Sequence, residues 1–310
     1  MKLRNVTRFT AAAVLLAGAG GALAGTGHQW GDYHWTDSTG SPITLKLSHK
    51  FADYPGRDGY AIWGSYYERA VADWENGSSI GDPLNFSSTS GEANHTTAQA
   101  CAPITGEVVV CSYKYGTSEG WVGIAEIDIS GTSILWATAK FNDSYYEPDS
   151  PYAGTYNTPA QRAFVACHEV GHTFGLGHLD TAFYNKNLGS CMDYTADPDG
   201  GGRRNPDNRY PGTVDWGVLN SPTMYGDYSG GGKKGGGGRG GPNRLDPFAF
   251  RDVGAAPAQP SPAYGRFGLI RGYDDEGRPV EFTRRMPNGH TRLTFVTWAK
   301  GVRPQGSRNQ

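Results

Sequence analysis

His168-Glu169-Val170-Gly171-His172-Thr173-Phe174-Gly175-Leu176-Gly177-His178 is the stretch that decides the reading of this 310-residue chain. On an α-helix, His168 and His172 are four residues apart and share one face, with Glu169 beside them. Gly175 can adopt the left-handed conformation that ends a helix, which brings His178 round to the other two rings. Three imidazole nitrogens leave a tetrahedral zinc ion one position for water, the ligand count of a catalytic rather than a closed structural site. Glu169 is then placed to take a proton from that water.

The ends of this helix are legible too. Thr158 offers a capping hydroxyl, Pro159 suits the first helical position, and Gln161 stands three residues beyond the cap. The spacing predicts a helix from Pro159 to Phe174, with Phe164, Val165, Val170 and Phe174 toward a core. Downstream, Ser190-Cys191-Met192-Asp193-Tyr194 is a tight segment in which Met192 can form a soft apolar floor beneath the histidines.

The run His168–His178 followed by Ser190–Tyr194 resembles the metzincin clan of zinc endopeptidases, whose zinc motif is paired with a methionine-containing turn. The chain is similar to small secreted bacterial matrixin-like proteins over roughly Pro42 to Tyr228, and Asp215–Gly226 resembles the last helix of a matrixin domain. The resemblance implies an α+β zincin domain with a twisted mixed sheet, a long zinc helix, a Met-turn and a C-terminal helix. It implies zinc ligands His168, His172 and His178, general base Glu169 and Met-turn residue Met192. It also implies that Tyr194 is catalytic, its phenol approaching the metal at rest and hydrogen-bonding the oxyanion in the transition state; packing against the turn is the alternative role. Leu179 differs from the residue that follows the third histidine in matrixins, reprolysins, astacins and serralysins, so the subfamily stays open.

Lys2, Arg4 and Arg8 precede an apolar run from Ala11 to Leu23, and Ala22-Leu23-Ala24 fits a small-x-small cleavage site. The expectation is a secretory signal peptide over 1–24, a secreted, extracellular protein, and no membrane contact after cleavage. Four cysteines in an oxidising compartment allow three pairings. Sequence distance favours Cys101 with Cys111, leaving Cys167 with Cys191 to tie the zinc helix to the Met-turn; buried free thiols are the other option.

The expected organisation is a signal peptide (1–24), an N-terminal extension (25–41), a metallopeptidase domain (42–228), a Gly/Pro-rich linker (229–262) and a small β-rich tail (263–310). Within the catalytic part, Ile43–His49 reads as a strand, Tyr60–Trp74 as a helix, and Glu107–Tyr115, Trp121–Ile129 and Ser133–Phe141 as strands. By resemblance, one edge of Ile134–Phe141 is the candidate surface for an extended substrate. In the tail, Phe267–Arg271, Pro279–Arg285 and Thr291–Trp298 are short strands, with a turn at Asn288-Gly289.

A net charge of -2 gives no reason to expect a polyanion, so nucleic acid is not an expected partner. Ser229–Gly241, with Lys233, Lys234 and Arg239, reads as a spacer. Asp197, Asp199 and Asp207 lack a calcium-loop spacing, and calcium remains an unassigned option. The interval from Gly25 to Ser41 is too short for a folded prodomain and has no cysteine to cap the zinc; His28 and His34 within it read as solvent-exposed. The expected activity is zinc-dependent hydrolysis of peptide bonds in a protein or peptide substrate, with oligomeric state open. The alternatives are a zinc-containing extracellular binding protein of weak activity and, from the many aromatics, a glycan- or cell-wall-binding protein.

Overall fold

In the computed structural model, residues 28–36, 44–76, 84–89, 95–200, 205–221, 223–225 and 265–302 are described. The expected signal peptide and the linker at 229–262 lie outside them.

Pattern and burial agree most closely in the strand β4 (Glu107–Tyr113), whose Val108, Val109, Val110 and Cys111 are all buried. A run apolar on both faces belongs in the middle of a parallel sheet covered on both sides. There, β4 lies between β2 (Thr44–Phe51) and β6 (Ser133–Asn142), parallel to both. Strand β3 (Asn85–Thr89) extends this parallel half beyond β2, and the short β1 (His34–Trp35) pairs with the start of β6.

Past β6 the sheet turns antiparallel. Gly131 sits in the hairpin between β5 (Trp121–Ser130) and β6 at φ 62, a conformation that glycine adopts without strain. Beyond β5 come three strands from the end of the chain, β7 (Leu269–Tyr273), β8 (Pro279–Arg285) and β9 (Thr291–Trp298). Among the described residues, nine strands form one sheet in the order β3-β2-β4-β6-β5-β9-β8-β7, with β1 off this path. Mixed α and β structure was expected. The tail strands, however, continue the main sheet along the outer edge of β5. Ile134–Phe141, expected to offer a free edge, lies instead inside the sheet, held by β4 on one side and β5 on the other.

Helices cover the sheet. In α1 (Gly59–Asn76) the buried residues Trp63, Tyr67, Ala70, Val71 and Trp74 recur at helical spacing. It packs with α5 (Pro159–His172) on the face that carries Val108, Val110, Ala125 and Ile127. The indole of Trp74 donates to the carbonyl of Cys167 (3.0 Å), fixing one helix against the other. On the opposite face α2 (His95–Ala100) ends at Cys101, whose disulfide to Cys111 fastens it to β4. A second disulfide joins Cys167 in α5 to Cys191. Short helices α3 (Asp143–Tyr146) and α4 (Ala153–Tyr156) lead from β6 into α5, and α6 (Thr213–Leu219) follows the loop that carries Met192. No helix among the described residues is long and apolar enough to cross a membrane.

Candidate metal centre

Helix α5 starts as its sequence predicts, with Thr158 Oγ1 accepting from the Gln161 amide (3.2 Å) and Pro159 in the first turn. It ends at His172, two residues before the expected Phe174. Gly175 then turns the chain at φ 92, and a Cβ there would collide with the carbonyl oxygen of Tyr33. Glycine is thus required for both conformation and space. The helix leaves carbonyls to satisfy at this end, and the N-terminal segment supplies donors: the Trp35 indole binds Thr173 O (2.8 Å) and the Trp30 amide binds Gly175 O (3.1 Å). Tyr225 closes the set through its hydroxyl, which donates to Phe174 O (3.1 Å).

This turn brings the three histidines together. One ligand-capable atom from each of His168, His172 and His178 lies within 4.8 Å of the others, and all three side chains are buried. His168 Nδ1 is held by the carbonyl of Cys191 (2.5 Å) and His172 Nδ1 by that of Leu176 (2.8 Å). A carbonyl can only accept, so each Nδ1 carries the proton and each Nε2 is left with its lone pair free, the form a metal needs. Those two Nε2 atoms face one another at 3.1 Å, where neither has a proton to give. Neither nitrogen of His178 has a hydrogen-bond partner. Buried nitrogens left this way cost stability unless a further group binds them. The donor set therefore fits a metal ion such as zinc.

Burial also sets the charge state. Desolvation pushes His168 and His172 well below the usual histidine range and His178 down to about 3, so the rings are neutral near pH 7. Glu169 is fully buried beside them, and desolvation lifts its carboxyl to about 8 against the opposing pull of a hydrogen bond from Thr297. Its Oε2 has no partner.

Met192 lies under the helix, fully buried. A Cβ on Gly171 would collide with its sulfur and come 2.6 Å from Trp74, so the glycine in mid-helix is what lets the methionine approach. The turn is pinned by Met192 N donating to Ser190 Oγ (2.9 Å), by Ser190 Oγ donating to the Asp215 carboxylate (2.8 Å), and by Leu179 N donating to Met192 O (2.7 Å). Asp215 of α6 also faces His28 Nε2 at 2.8 Å. His28 is thus buried, contrary to the exposure expected of it, because its ring meets a buried carboxylate.

Tyr194 borders the centre, its ring centroid 4.9 Å from that of His178 and 5.8 Å from that of His168. Its hydroxyl donates to Val296 O in β9 (2.5 Å). Three residues that sequence reasoning did not place here all come from the tail. Phe295 stacks on His172 with centroids 4.2 Å apart and planes 6° from parallel, Thr297 Oγ1 donates to Glu169 Oε1 (2.5 Å), and Glu281 Oε1 stands 3.4 Å from His178 Nδ1. Alternation along Thr291–Trp298 was a signal for a strand, but not for the neighbour it would find. Asp197, Asp199 and Asp207 are not in this centre, and Asp207 instead pairs with Arg209. No protein-family model matches the sequence, and no curated protein is significantly similar to it.

Proposed function

We propose that the chain is a secreted zinc-dependent endopeptidase of metzincin-like type. The observation that carries this reading is the set of two Nε2 atoms with fixed tautomers and the buried His178 ring, gathered around one point with a buried carboxylate beside His168 on the helix. A purely structural metal has no use for that carboxylate. The Met192 turn beneath the histidines, the mixed sheet and α6 support the family reading, and the two disulfides support an extracellular location.

Zinc, when bound, supplies a Lewis acid for the scissile carbonyl and a water whose pKa falls toward about 7. His168, His172 and His178 would hold it. Glu169 accepts the water's proton through its carboxylate and later delivers it to the leaving amine. Tyr194, beside His168 and His178, is the donor for the developing oxyanion. The test is metal analysis combined with mass-spectrometric mapping of cleaved bonds in a peptide library. Cleavage lost to a chelator and restored by zinc, in the intact chain or once its tail strands are released, is the expected result, and bound zinc without cleavage in either form would refute the peptidase reading.

One observation favours the second reading, a zinc-containing binding protein of weak activity. Glu169, His168 and His172 have no solvent exposure at all. A site closed in this way can hold a metal, but it admits no polypeptide.

A further inference from the structure

Strand β5 runs directly past the base, for a Cβ on Gly123 would collide with the Glu169 carboxylate. One side of β5 is bonded to β6; without the tail its other side would be an open edge beside the metal centre. Open edges bind extended peptides by adding a strand, with main-chain bonds giving affinity and alternate side chains giving specificity. Here β9 takes that edge along its whole length, antiparallel, from Trp121 opposite Trp298 to Ile129 opposite Thr291.

The contacts of β9 match those of an extended substrate lying across the site. Alternate side chains, Phe295 and Thr297, point into it, one onto the ring of His172 and the other onto Glu169. Between them, the backbone carbonyl of Val296 accepts the hydroxyl of Tyr194, the group assigned to a substrate oxyanion. Leu293, Phe295, Val296 and Trp298 are all buried, and burying large apolar side chains contributes roughly 1.5–3 kcal/mol each, so the strand is held firmly.

We infer that β7–β9 form an intramolecular plug in which β9 occupies the edge of β5 that a polypeptide substrate would take, so that hydrolysis requires the plug to leave. The inference rests on the peptidase reading and assigns its form of latency. The 25–41 interval provides no cysteine for another form. The sequence between α6 and β7 includes the glycine-rich run Ser229–Gly241, where one cut separates the plug covalently from the metal centre. The plug's hold then depends on concentration instead of connection.

The test uses the full chain with a specific protease site inserted after Gly236, both as it stands and with Phe295→Ala to loosen β9. Binding of a leucyl tripeptide hydroxamate, amide exchange over Trp121–Ile129 and peptide hydrolysis are measured before and after cutting. The plug predicts that the cut Phe295→Ala chain sheds its tail fragment, exchanges faster along β5 and binds the hydroxamate roughly tenfold or more tightly than the uncut chain. The uncut Phe295→Ala chain should show a smaller gain in the same direction. Equal hydroxamate binding before and after release overturns the plug whatever the hydrolysis shows, as does unfolding of the metal centre when the tail leaves. A gain in binding without hydrolysis upholds the plug and refutes the peptidase reading.

Discussion

Thr297 and Glu169 are 128 residues apart in sequence, yet the threonine hydroxyl donates to the glutamate Oε1 at 2.5 Å. This bond engages the proposed base and draws its carboxyl downward against the upward push of burial. Glu169→Gln keeps an oxygen to accept the bond, so fold and metal stoichiometry should match the parent. Loss of the base should cut hydrolysis by roughly a hundredfold or more in chains freed of the tail. Retained hydrolysis at unchanged zinc content would assign the base elsewhere.

His178 is the proposed ligand that the turn at Gly175 brings in from outside the helix. His178→Ala should lower zinc affinity by more than the roughly 10–100-fold associated with losing an outer partner of a ligand. Zinc at about a hundred times its dissociation constant should stabilise the parent by about 2.7 kcal/mol and the variant far less. Thermal melts with and without zinc make the comparison.

The difference between what the sequence disclosed and what it hid is physical. Helix α5, the turn at Gly175 and the gathering of the three histidines were legible because caps, helical spacing and glycine act within a few residues. Strands β8 and β9 were legible as strands for the same reason, and their bounds coincide with the expected Pro279–Arg285 and Thr291–Trp298. Their position was not. Alternation says that one face is buried but not against which edge, and pairing β9 with β5 joins residues more than 160 apart. Strand β3, polar apart from Phe86, gave no alternation to read. His28 was misjudged because its burial depends on Asp215, a partner no local pattern announces.

The disulfides should differ in function more than in stability. Entropy removed from the unfolded chain by loops of these lengths amounts to about 3.5 kcal/mol for Cys167–Cys191 and about 2.7 kcal/mol for Cys101–Cys111, so replacing either pair with alanine should lower denaturation midpoints similarly. Only the loss of Cys167–Cys191 should weaken zinc binding, because the carbonyl of Cys191 orients His168. Equal zinc affinity in the two variants would remove that coupling.

Gly171 inverts the usual preference for alanine inside a helix. Alanine gains about 1 kcal/mol in propensity, but its Cβ collides with Met192 Sδ and crowds Trp74. Overpacking of this kind costs about 1–3 kcal/mol. Gly171→Ala should therefore be destabilising in urea melts and should weaken zinc binding by displacing the methionine floor, whereas a stabilised variant would mean that Met192 moves aside freely.

Asp143 carries a pH dependence that is separate from the metal centre. It accepts from the Trp63 indole (2.6 Å) and the Tyr54 hydroxyl (3.3 Å), and burial lifts its carboxyl from 3.8 to about 7. Well below the unfolded value of 3.8 the group is protonated in both folded and unfolded chains and has no effect on stability. Between pH 4 and 7 the unfolded chain ionises first, so the folded chain binds more protons and stability falls as pH rises. Above pH 7 the full penalty is present, about 4 kcal/mol for a shift of this size. Asp143→Asn keeps an acceptor for the indole and removes the ionisation. Its stability should exceed that of the parent at pH 8, with the advantage shrinking toward pH 4, as measured by urea melts across that range. A variant with the parent's pH slope would mean that Asp143 ionises in the folded protein as readily as in water.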